Sequence, residues 1–353
     1  MSKDRLLYLT GASFKHPTAQ LVHVLKMCSG LSSFYEVDLF VFDKNDATNI
    51  ADYSLQNSPN ILSFGRKKIS VSLQLCFVLL VSIVKNRYCA VVTRNVVSAF
   101  ACHLLKIKYI YETHDAYRGY LKKIFESSVL KSNSLIEFVV ISNRLALDYK
   151  ALYNCNPQVC SDAADVYDHL IPIRTRVKKV FYIGSLYSGR GKEIIDQLAE
   201  RNQDLEFHIF GGSSVYVDSN VIYHGYKSQK EIRLAVRQAD VLLMPYQTKL
   251  QTANGGIDTV RWMSPMKMFE YMSFGLPIIS SDLPVLREVL NDTNCVLATP
   301  SDIDDWHMKL STLKNDESLR TMISENARQD FISNFTWSKR AEVFSEFIDN
   351  QAR

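Results

Sequence analysis

The sequence predicts an α/β protein made of two doubly wound domains, each built around a parallel sheet. The chain has 353 residues, and at about 150 residues per domain this length favours two domains over one. Short apolar runs alternate with helix-length segments along the whole chain, a pattern typical of parallel sheets covered on both faces. A basic, strand-poor stretch around Pro172 separates two such series, so each half can form its own sheet.

The strand candidates are short and nearly continuously apolar. In the first half they are Leu6–Leu9, Val37–Phe42, Ile61–Phe64, Ala90–Thr93, Tyr109–Tyr111 and Phe138–Ile141. In the second half they are Val180–Ile183, Leu205–Phe210, Val221–Tyr223, Val241–Met244, Pro277–Ser280 and Cys295–Leu297. We therefore expect Rossmann-like domains at residues 1–167 and 168–336, with a C-terminal helix at about 337–353 that joins the first domain.

The composition excludes several classes of protein. Hydrophobic residues make up 47% and charged residues 22% of the chain, which argues against disorder and coiled coil. The most apolar run, Ile69–Val84, contains Ser72, Gln74 and Ser82 and is too short for a transmembrane helix. The N-terminus has no signal-peptide core, so we expect a cytoplasmic protein.

The seven cysteines and the histidines predict no metal site. No two cysteines form a C-x-x-C pair, which argues against zinc and thioredoxin-like redox chemistry. His16, His23, His103, His169, His208, His224 and His307 are scattered without metal-ligand spacing and are interpreted as structural.

The charge is unevenly distributed along the chain. The net charge of +4 is modest for a nucleic-acid binder. Residues 1–165 hold 19 Lys+Arg and 13 Asp+Glu, or +6, and the remainder holds 22 and 24, or −2. We therefore expect the two halves to face different partners, neither of them a nucleic acid.

The loop after Val180–Ile183 is a candidate anion site. It runs from Gly184 and Ser185 to Arg190 and then enters a helix. Glycines permit close backbone approach, the start of a helix offers free amide groups, and a guanidinium suits phosphate. These features fit a diphosphate cradle, although an ordinary turn with a solvated arginine fits this loop about as well.

A second candidate is the helix that ends at Gly275. Ser264 has the character of an N-cap, with Pro265 at the first helical position. Lys267 and Glu270 are three residues apart and share a face. The helix start fits an anion site, and the alternative is an amphipathic helix with a salt bridge between these two residues.

In the first half, Glu112-Thr113-His114-Asp115 follows a strand directly. Histidine is the side chain best suited to proton transfer near neutral pH, and loops at the carboxyl ends of parallel strands carry function. The alternative is a histidine that only holds its loop together.

Together these stretches resemble the GT-B glycosyltransferases, specifically the retaining family 4 enzymes. The second half carries most of the resemblance, through Phe181–Ser185, Arg190-Gly191, Phe210–Gly212, His224–Tyr226, Ala239–Tyr246 and Ser264–Val289. The first half contributes Thr93–Asn95, Glu112–Asp115 and Val140–Asn143. The resemblance implies the GT-B fold, with two Rossmann-like domains facing a central cleft.

The resemblance implies a nucleotide-sugar site in the second domain. Glu270 matches the second glutamate of the family's E-x7-E motif and is expected to hydrogen-bond the ribose, whereas Trp262 stands where the first glutamate falls. Ser185 and Arg190 take the places of the two diphosphate-binding cations. The remaining expected nucleotide and phosphate contacts are Gly184, Gly225, Tyr226, Ser264, Met266 and Lys267.

In the first domain the resemblance assigns His114 to the reacting sugar, beside Arg190 and Glu270 as the catalytic set. Gly11, Arg94 and Asp115 are expected on the acceptor side. The activity implied is a retaining, hexosyl-type transfer from a UDP- or GDP-sugar without metal or other cofactor. Charge developing on the leaving diphosphate is the main catalytic demand, and Arg190 with helix N-termini can meet it.

The acceptor implied by the resemblance is a lipid-linked glycan of bacterial surface polysaccharide, such as lipopolysaccharide O-antigen, capsule or exopolysaccharide. Basic residues flank Ile69–Val84 (Arg66, Lys67 and Lys68) and follow the His114 loop (Arg118, Lys122 and Lys123). These cations favour peripheral association with an anionic membrane surface. The apolar run itself is read either as an interfacial helix or as a helix that covers the sheet.

Two other functions stay open from the sequence. One is a nucleotide-sugar epimerase of the same architecture, which needs no acceptor. The other is a non-catalytic partner that binds sugar nucleotides, suggested by the departures at Ser185 and Trp262.

Overall fold

The computed structural model describes residues 3–15, 18–44, 50–65, 67, 69–116, 119–250 and 259–351. The chain divides into two compact units, one of Met1–Ser161 with Trp337–Arg353 and one of Asp162–Thr336. Three of the cations expected at a membrane surface, Arg66, Lys68 and Arg118, lie outside the described residues.

The first unit is built on a seven-stranded parallel sheet with the order β3-β2-β1-β4-β5-β6-β7. Its strands are β1 (Arg5–Ser13), β2 (Glu36–Phe42), β3 (Asn60–Phe64), β4 (Ala90–Thr93), β5 (Tyr109–Thr113), β6 (Leu135–Val140) and β7 (Gln158–Val159). Its helices are α1 (Ala19–Leu31), α2 (Val71–Lys85), α3 (Val96–Leu104), α4 (Tyr120–Leu130), α5 (Asn143–Tyr153) and, from the C-terminus, α11 (Trp337–Asn350).

The second unit is built on a six-stranded sheet with the order β10-β9-β8-β11-β12-β13. Its strands are β8 (Lys179–Ile183), β9 (Glu206–Asp218), β10 (Val221–Gly225), β11 (Val241–Met244), β12 (Ile278–Ser281) and β13 (Val296–Ala298). Its helices are α6 (Lys192–Arg201), α7 (Gln229–Ala235), α8 (Met266–Phe274), α9 (Ile303–Asn315) and α10 (Glu317–Asn334).

The prediction of two doubly wound parallel sheets is confirmed. Every strand candidate from the sequence corresponds to an observed strand within a few residues. The sequence missed the two-residue strand β7 and the second half of β9, where residues 215–218 run back along β10. Both parts are exposed rather than buried, and their apolar runs are short, with Val159 alone in β7 and Val215–Val217 in β9.

The boundary between the units lies at Ser161, six residues before the predicted one. Residues 162–167 pack with the second unit because its side chains satisfy their backbone. The amide of Asp162 donates to Ser264 Oγ at 2.9 Å, and the amide of Tyr167 donates to Ser273 Oγ at 2.8 Å. Ala164 and Tyr167 are buried in the core of this unit. The cut at 167/168 therefore separates packed residues from their core.

Helix α2 combines the two sequence interpretations of the apolar run. One face, which includes Leu75, Val78 and Leu79, is buried. Its other face is apolar and exposed, with Leu73, Phe77, Leu80 and Val84 between 50% and 87% exposed. No helix among the described residues has the length and hydropathy needed to cross a bilayer.

Helices α1 and α11 approach each other most closely at Gly30. A β-carbon at this position would lie 2.9 Å from the Trp337 carbonyl oxygen and 2.9 Å from Ala341 Cβ. The C-terminal helix therefore docks on a helix whose contact surface has no side chain at this position.

We expect Gly30→Val to lower the free energy of unfolding of the first unit by about 1–3 kcal/mol, because the added methyl groups force the two helices apart. Urea unfolding would measure the change. Gly65→Val is the matched control, because a β-carbon at Gly65 meets no atom within 4 Å. Equal unfolding free energies for the two variants would contradict the close packing of α1 and α11.

Candidate functional site

Both sheets reverse their strand order at one point, and candidate residues lie at both reversals. In the first unit the reversal lies between β1 and β4, and in the second between β8 and β11. Ligands of open α/β sheets bind outside the carboxyl ends of the strands at such points. Gly184 and Ser185 directly follow β8, and Gly11 and Arg94 lie at the ends of β1 and β4.

The loop between β8 and α6 lies directly against the chain that follows β11. Gly191 caps α6 with a φ of +85°, and a β-carbon there would lie 2.0 Å from the Pro245 carbonyl oxygen. Only glycine accommodates both the conformation and the approach. This contact brings Arg190 to Tyr246, whose hydroxyl accepts a hydrogen bond from Arg190 Nη1 at 2.9 Å.

Lys267 lies within a ring of three tyrosines, which we call the tyrosine ring (Tyr182, Tyr246 and Tyr271). Its Nζ is 4.2 Å, 4.6 Å and 6.0 Å from the three ring centroids. Hydroxyl contacts hold two of these rings in place, since Tyr182 donates to the Ser185 carbonyl oxygen at 2.7 Å and Tyr271 accepts from the Ile183 amide at 2.8 Å. Ring faces attract a cation while excluding water from it.

Positive charge in the tyrosine ring has little compensation. Burial lowers the pKa of Lys267 well below its usual value, Arg190 lowers it further, and Glu270 opposes the shift. A β-carbon on Gly184 would lie 3.3 Å from Lys267 Nζ, so the ammonium lies against the loop that begins at Gly184. The structure therefore gathers two cations at the strand reversal of the second sheet.

The salt bridge between Lys267 and Glu270, which the sequence left open as the alternative interpretation of this helix, is not among the ion pairs of the described residues. Burial and the neighbouring Asp165 raise the pKa of Glu270, while Gln229, Lys267 and Arg233 lower it. Burial thus disfavours the charged form of both Lys267 and Glu270, and the two side chains do not form an ion pair with each other.

The start of α8 differs from the prediction. The helix begins at Met266 with Pro265 as its N-cap, and no side chain caps it. Ser264 is buried, and its Oγ accepts the amide of Asp162 instead of capping the helix. No side chain therefore caps the first amides of α8, those of Met266 and Lys267. They carry the partial positive charge of a helix N-terminus.

The remaining predicted contacts of the second unit are more dispersed. Gly225 ends β10, two strands from β8 in the sheet order. Tyr226 follows it and is 68% exposed, and burial together with Tyr187 raises its pKa. Trp262 is half-buried, with the Arg261 guanidinium 6.0 Å from its ring centroid.

In the first unit, Glu112 is the centre of a buried charged cluster. The carboxylate is fully buried, and its Oε1 contacts His114 Nε2, Arg340 Nη2 at 3.1 Å and His23 Nε2 at 3.4 Å. Burial alone would raise the pKa of Glu112, but Arg340, His23 and His114 hold it well below its usual value. The His114 side chain keeps 19% of its surface exposed.

His23, Glu112 and His114 bring ligand-type atoms within 4.8 Å of one another. The Arg340 guanidinium is hydrogen-bonded to the same carboxylate oxygen, and its positive charge opposes a metal ion at that point. The cluster therefore fits an ion-pair network better than a metal centre. The sequence-based prediction that no metal is used stays a prediction.

The three acceptor-side candidates do not share one environment. A β-carbon on Gly11 would lie 3.2 Å from Val71 Cγ1. Arg94 Nη1 is buried and has no hydrogen-bond partner in the part of the chain that the structure describes. Asp115 is exposed and accepts from Lys122 Nζ at 3.1 Å.

Several functional side chains were missed by the sequence analysis. The three tyrosines of the tyrosine ring come from separate elements, and only the folded structure shows that they surround one side chain. His23 was interpreted as structural, yet its ring contacts that of His114 at a centroid distance of 5.0 Å. Arg340 lies on α11, the C-terminal helix that the sequence predicts without assigning a role to any of its residues.

Comparisons with known proteins bear on the fold and the superfamily. A family model described as "Glycosyl transferase-like" matches residues 190–346. No curated protein matches the sequence significantly. Among solved structures, a glycosyltransferase from Rickettsia africae is similar with a TM-score of 0.77, 13% identity and 99% coverage of both chains.

Two further structures show the same similarity in fold. The Anabaena protein HepE in complex with UDP has a TM-score of 0.73 at 13% identity, covering 99% of this chain and 100% of its own. The lipopolysaccharide outer core galactosyltransferase WaaB has a TM-score of 0.67 at 16% identity, covering 98% of this chain and 99% of its own. The fold is thus that of the GT-B glycosyltransferases, and the comparisons support that superfamily.

The tyrosine ring makes a prediction about stability. The native pKa of Lys267 is depressed, so the unfolded chain binds more protons between that pKa and 10.5, and the free energy of unfolding rises with pH across this window. We expect Lys267→Met to raise the free energy of unfolding at pH 7, because the substitution removes the cost of burying the Lys267 amine.

Urea unfolding between pH 7 and pH 10 would measure this effect. Lys227→Met is the matched control. Lys227 is exposed and forms an ion pair with Glu231 at 3.5 Å, and such surface pairs contribute about 0–1 kcal/mol to the free energy of unfolding. A loss of stability in Lys267→Met at pH 7 would contradict the desolvation of Lys267.

Proposed function

We propose that this protein is a retaining glycosyltransferase that transfers a hexosyl group from a UDP- or GDP-sugar to a glycan. The observation that carries the proposal is the pair of cations, Arg190 and Lys267, at the strand reversal of the second sheet. Neither has a carboxylate within salt-bridge distance among the described residues. A diphosphate supplies the negative charge that this arrangement lacks.

The proposed chemistry follows from where charge develops. Cleavage of the bond between the sugar and the diphosphate places negative charge on the leaving group and oxocarbenium character on the sugar. Arg190 binds the leaving group through its guanidinium fork. Lys267 becomes protonated beside the same leaving group and adds its positive charge. The uncapped amides at the start of α8 add partial positive charge. These residues can stabilise the leaving group without a metal.

Glu270 and His114 complete the proposed machinery. In this proposal the Glu270 carboxyl hydrogen-bonds the ribose, and Gly225 with Tyr226 contacts the base. His114 acts on the reacting sugar. Solved relatives support a uridine nucleotide as the first donor to test, since HepE has been solved with UDP and with UDP-glucose.

The retaining outcome and the family 4 assignment belong to the same proposal. Ser185 stands where the family carries one of its two cations, and Lys267 approaches the same loop from α8. We propose that Lys267 replaces the missing cation. A non-catalytic sugar-nucleotide binder is the alternative that Trp262 supports, because that residue cannot hydrogen-bond sugar hydroxyls as a glutamate does.

We further propose that the acceptor is lipid-linked and is used at an anionic membrane surface, as in the assembly of bacterial surface polysaccharide. The support is the exposed stripe of α2, which consists of Leu73, Phe77, Leu80 and Val84. Lys67 precedes this helix, and Lys85 and Arg87 lie at its end, all of them exposed. An apolar stripe between cations matches the two requirements of interfacial binding. A cytoplasmic location stays a prediction.

Arg190→Ala tests the nucleotide site. We expect UDP or GDP to bind the wild-type protein and Arg190→Ala to bind about 10–100-fold more weakly, because charged hydrogen bonds contribute about 1.5–3 kcal/mol. Calorimetry would measure the affinities. Arg201→Ala, which removes a guanidinium paired with Asp304 on the same unit, is the control and should bind normally.

Different outcomes of these measurements would contradict the diphosphate site or favour one of the two alternative functions. If neither nucleotide binds, or if Arg190→Ala retains full affinity, the diphosphate site is wrong. If nucleotides bind but no sugar is released or transferred with any donor or lipid extract, the non-catalytic alternative holds. Release or conversion of the donor sugar without acceptor would instead favour an epimerase.

The membrane proposal is tested by Phe77→Glu together with Leu80→Glu. We expect sedimentation with vesicles containing anionic lipid to fall about tenfold or more, since each change removes apolar burial and adds repulsion. Leu234→Glu, at a position on α7 that is 55% exposed, is the control. Equal sedimentation of all variants, or equal binding to neutral vesicles, would refute association through α2.

A further inference from the structure

Glu112 distributes its contacts unequally between its two carboxylate oxygens. Oε1 is hydrogen-bonded to His114 Nε2 and Arg340 Nη2. His23 Nε2 lies 3.4 Å from the same oxygen without a hydrogen bond between the two atoms. Oε2 is buried and has no hydrogen-bond partner among the described residues. The whole arrangement therefore converges on one oxygen, at the side of Glu112 that faces the imidazole of His114.

The ionisation of Glu112 decides which hydrogen bond can form. The pKa of Glu112 lies well below its usual value, so the group is a carboxylate near neutral pH. A carboxylate can only accept hydrogen bonds. In the contact between His114 and Glu112, the proton must therefore be on His114 Nε2.

Arg340 is the cation that stabilises the charged form of Glu112 inside the first unit. Its Nε donates to the Ser161 carbonyl oxygen at 2.9 Å and its Nη2 donates to the Cys160 carbonyl oxygen at 3.3 Å. Its guanidinium carbon lies 5.0 Å from the ring centroid of Phe344. The guanidinium is thus fixed by the chain end before the unit boundary and by its own helix α11, rather than by Glu112 alone.

We propose that Glu112 is a positioning residue that fixes the proton of His114 on Nε2, and that Arg340 of the C-terminal helix keeps Glu112 charged for this task. In the neutral ring, Nδ1 is then the accepting nitrogen. His114 thereby presents one defined hydrogen-bonding pattern, as a histidine does when a carboxylate selects its tautomer. The role in sugar transfer rests on the proposed function, but the proton placement is a property of the free protein.

Other charged groups around His114 are compatible with this assignment. His23 contributes from α1, and the pair of Asp115 and Lys122 contributes from the following loop and α4. Asp115 is hydrogen-bonded to Lys122, so its charge is partly compensated. Among the described residues, Glu112 is the carboxylate hydrogen-bonded to the His114 ring.

Nitrogen-15 NMR of the imidazole of His114 tests the inference in the protein without ligand. We expect the wild type to show the Nε2-protonated form. Glu112→Gln keeps the shape and an oxygen acceptor but removes the charge, and its amide can also donate to Nε2. We expect the ratio of Nε2- to Nδ1-protonated rings to fall about tenfold, because charge-assisted hydrogen bonds are about twice as strong as neutral ones.

Glu126→Gln is the matched control. Glu126 is, like Glu112, a glutamate of the first unit with 0% of its surface exposed. It accepts from the hydroxyls of Tyr111, Tyr149 and Tyr153 at 2.8–2.9 Å. Its substitution removes an equally buried charge, and we expect the His114 tautomer ratio to stay as in the wild type.

Arg340 is tested with two variants. Arg340→Lys keeps the positive charge, and we expect it to keep the Nε2-protonated form. Arg340→Gln removes the charge, and we expect its tautomer ratio to move toward that of Glu112→Gln. Because Arg340→Lys retains the compensation, it stays informative even if Arg340→Gln fails to fold.

In turnover assays with a nucleotide sugar, we expect Glu112→Gln to lower kcat about tenfold or more and to leave KM for the donor within about twofold. A wild type protonated mainly on Nδ1, or a tautomer shift in Glu126→Gln as large as in Glu112→Gln, would overturn the proton placement. A tautomer shift without a loss of kcat would overturn the positioning role. Failure of the wild type to bind any nucleotide would refute the proposed function and leave the proton placement standing.

Discussion

The second unit holds Arg190 and Lys267 partly buried, and neither side chain has a carboxylate within salt-bridge distance in the described part of the chain. This constraint organises its site. The strand reversal brings the loop after β8 beside the chain after β11, and the close approach at Gly191 fixes Arg190 against Tyr246. The tyrosine ring then excludes water from Lys267. Uncompensated positive charge costs stability in the free protein and creates a strong demand for an anion.

The first unit treats charge in the opposite way. There the buried group is negative, and the Arg340 guanidinium with the imidazoles of His23 and His114 surrounds one of its carboxylate oxygens. In the proposed function, the second unit leaves charge unpaired where the diphosphate binds, and the first unit pairs its charge where His114 is oriented. The excess of +6 in residues 1–165 is therefore not the charge of the diphosphate site, and the exposed cations at the ends of α2 contribute to it.

The sequence predicted the strands well because buried parallel strands are continuous apolar runs. It missed the second half of β9, whose residues 213–218 are exposed. Arg190 and Lys267 were found because a turn and a helix start are local features. The tyrosine ring was not, since Tyr182, Tyr246 and Tyr271 meet only after folding. Ser264 was misread as a cap for the same reason, because the amide it accepts belongs to Asp162, 102 residues away.

The return of α11 to the first unit makes that unit discontinuous along the chain. All seven strands of its sheet are synthesised before the second unit, but α11, with the counter-charge of Glu112, is synthesised after that unit. During synthesis the second unit can complete its core while the first still exposes the surface of α1 around Gly30 and a buried carboxylate without its guanidinium. Order of synthesis and order of completion are therefore reversed for the two units.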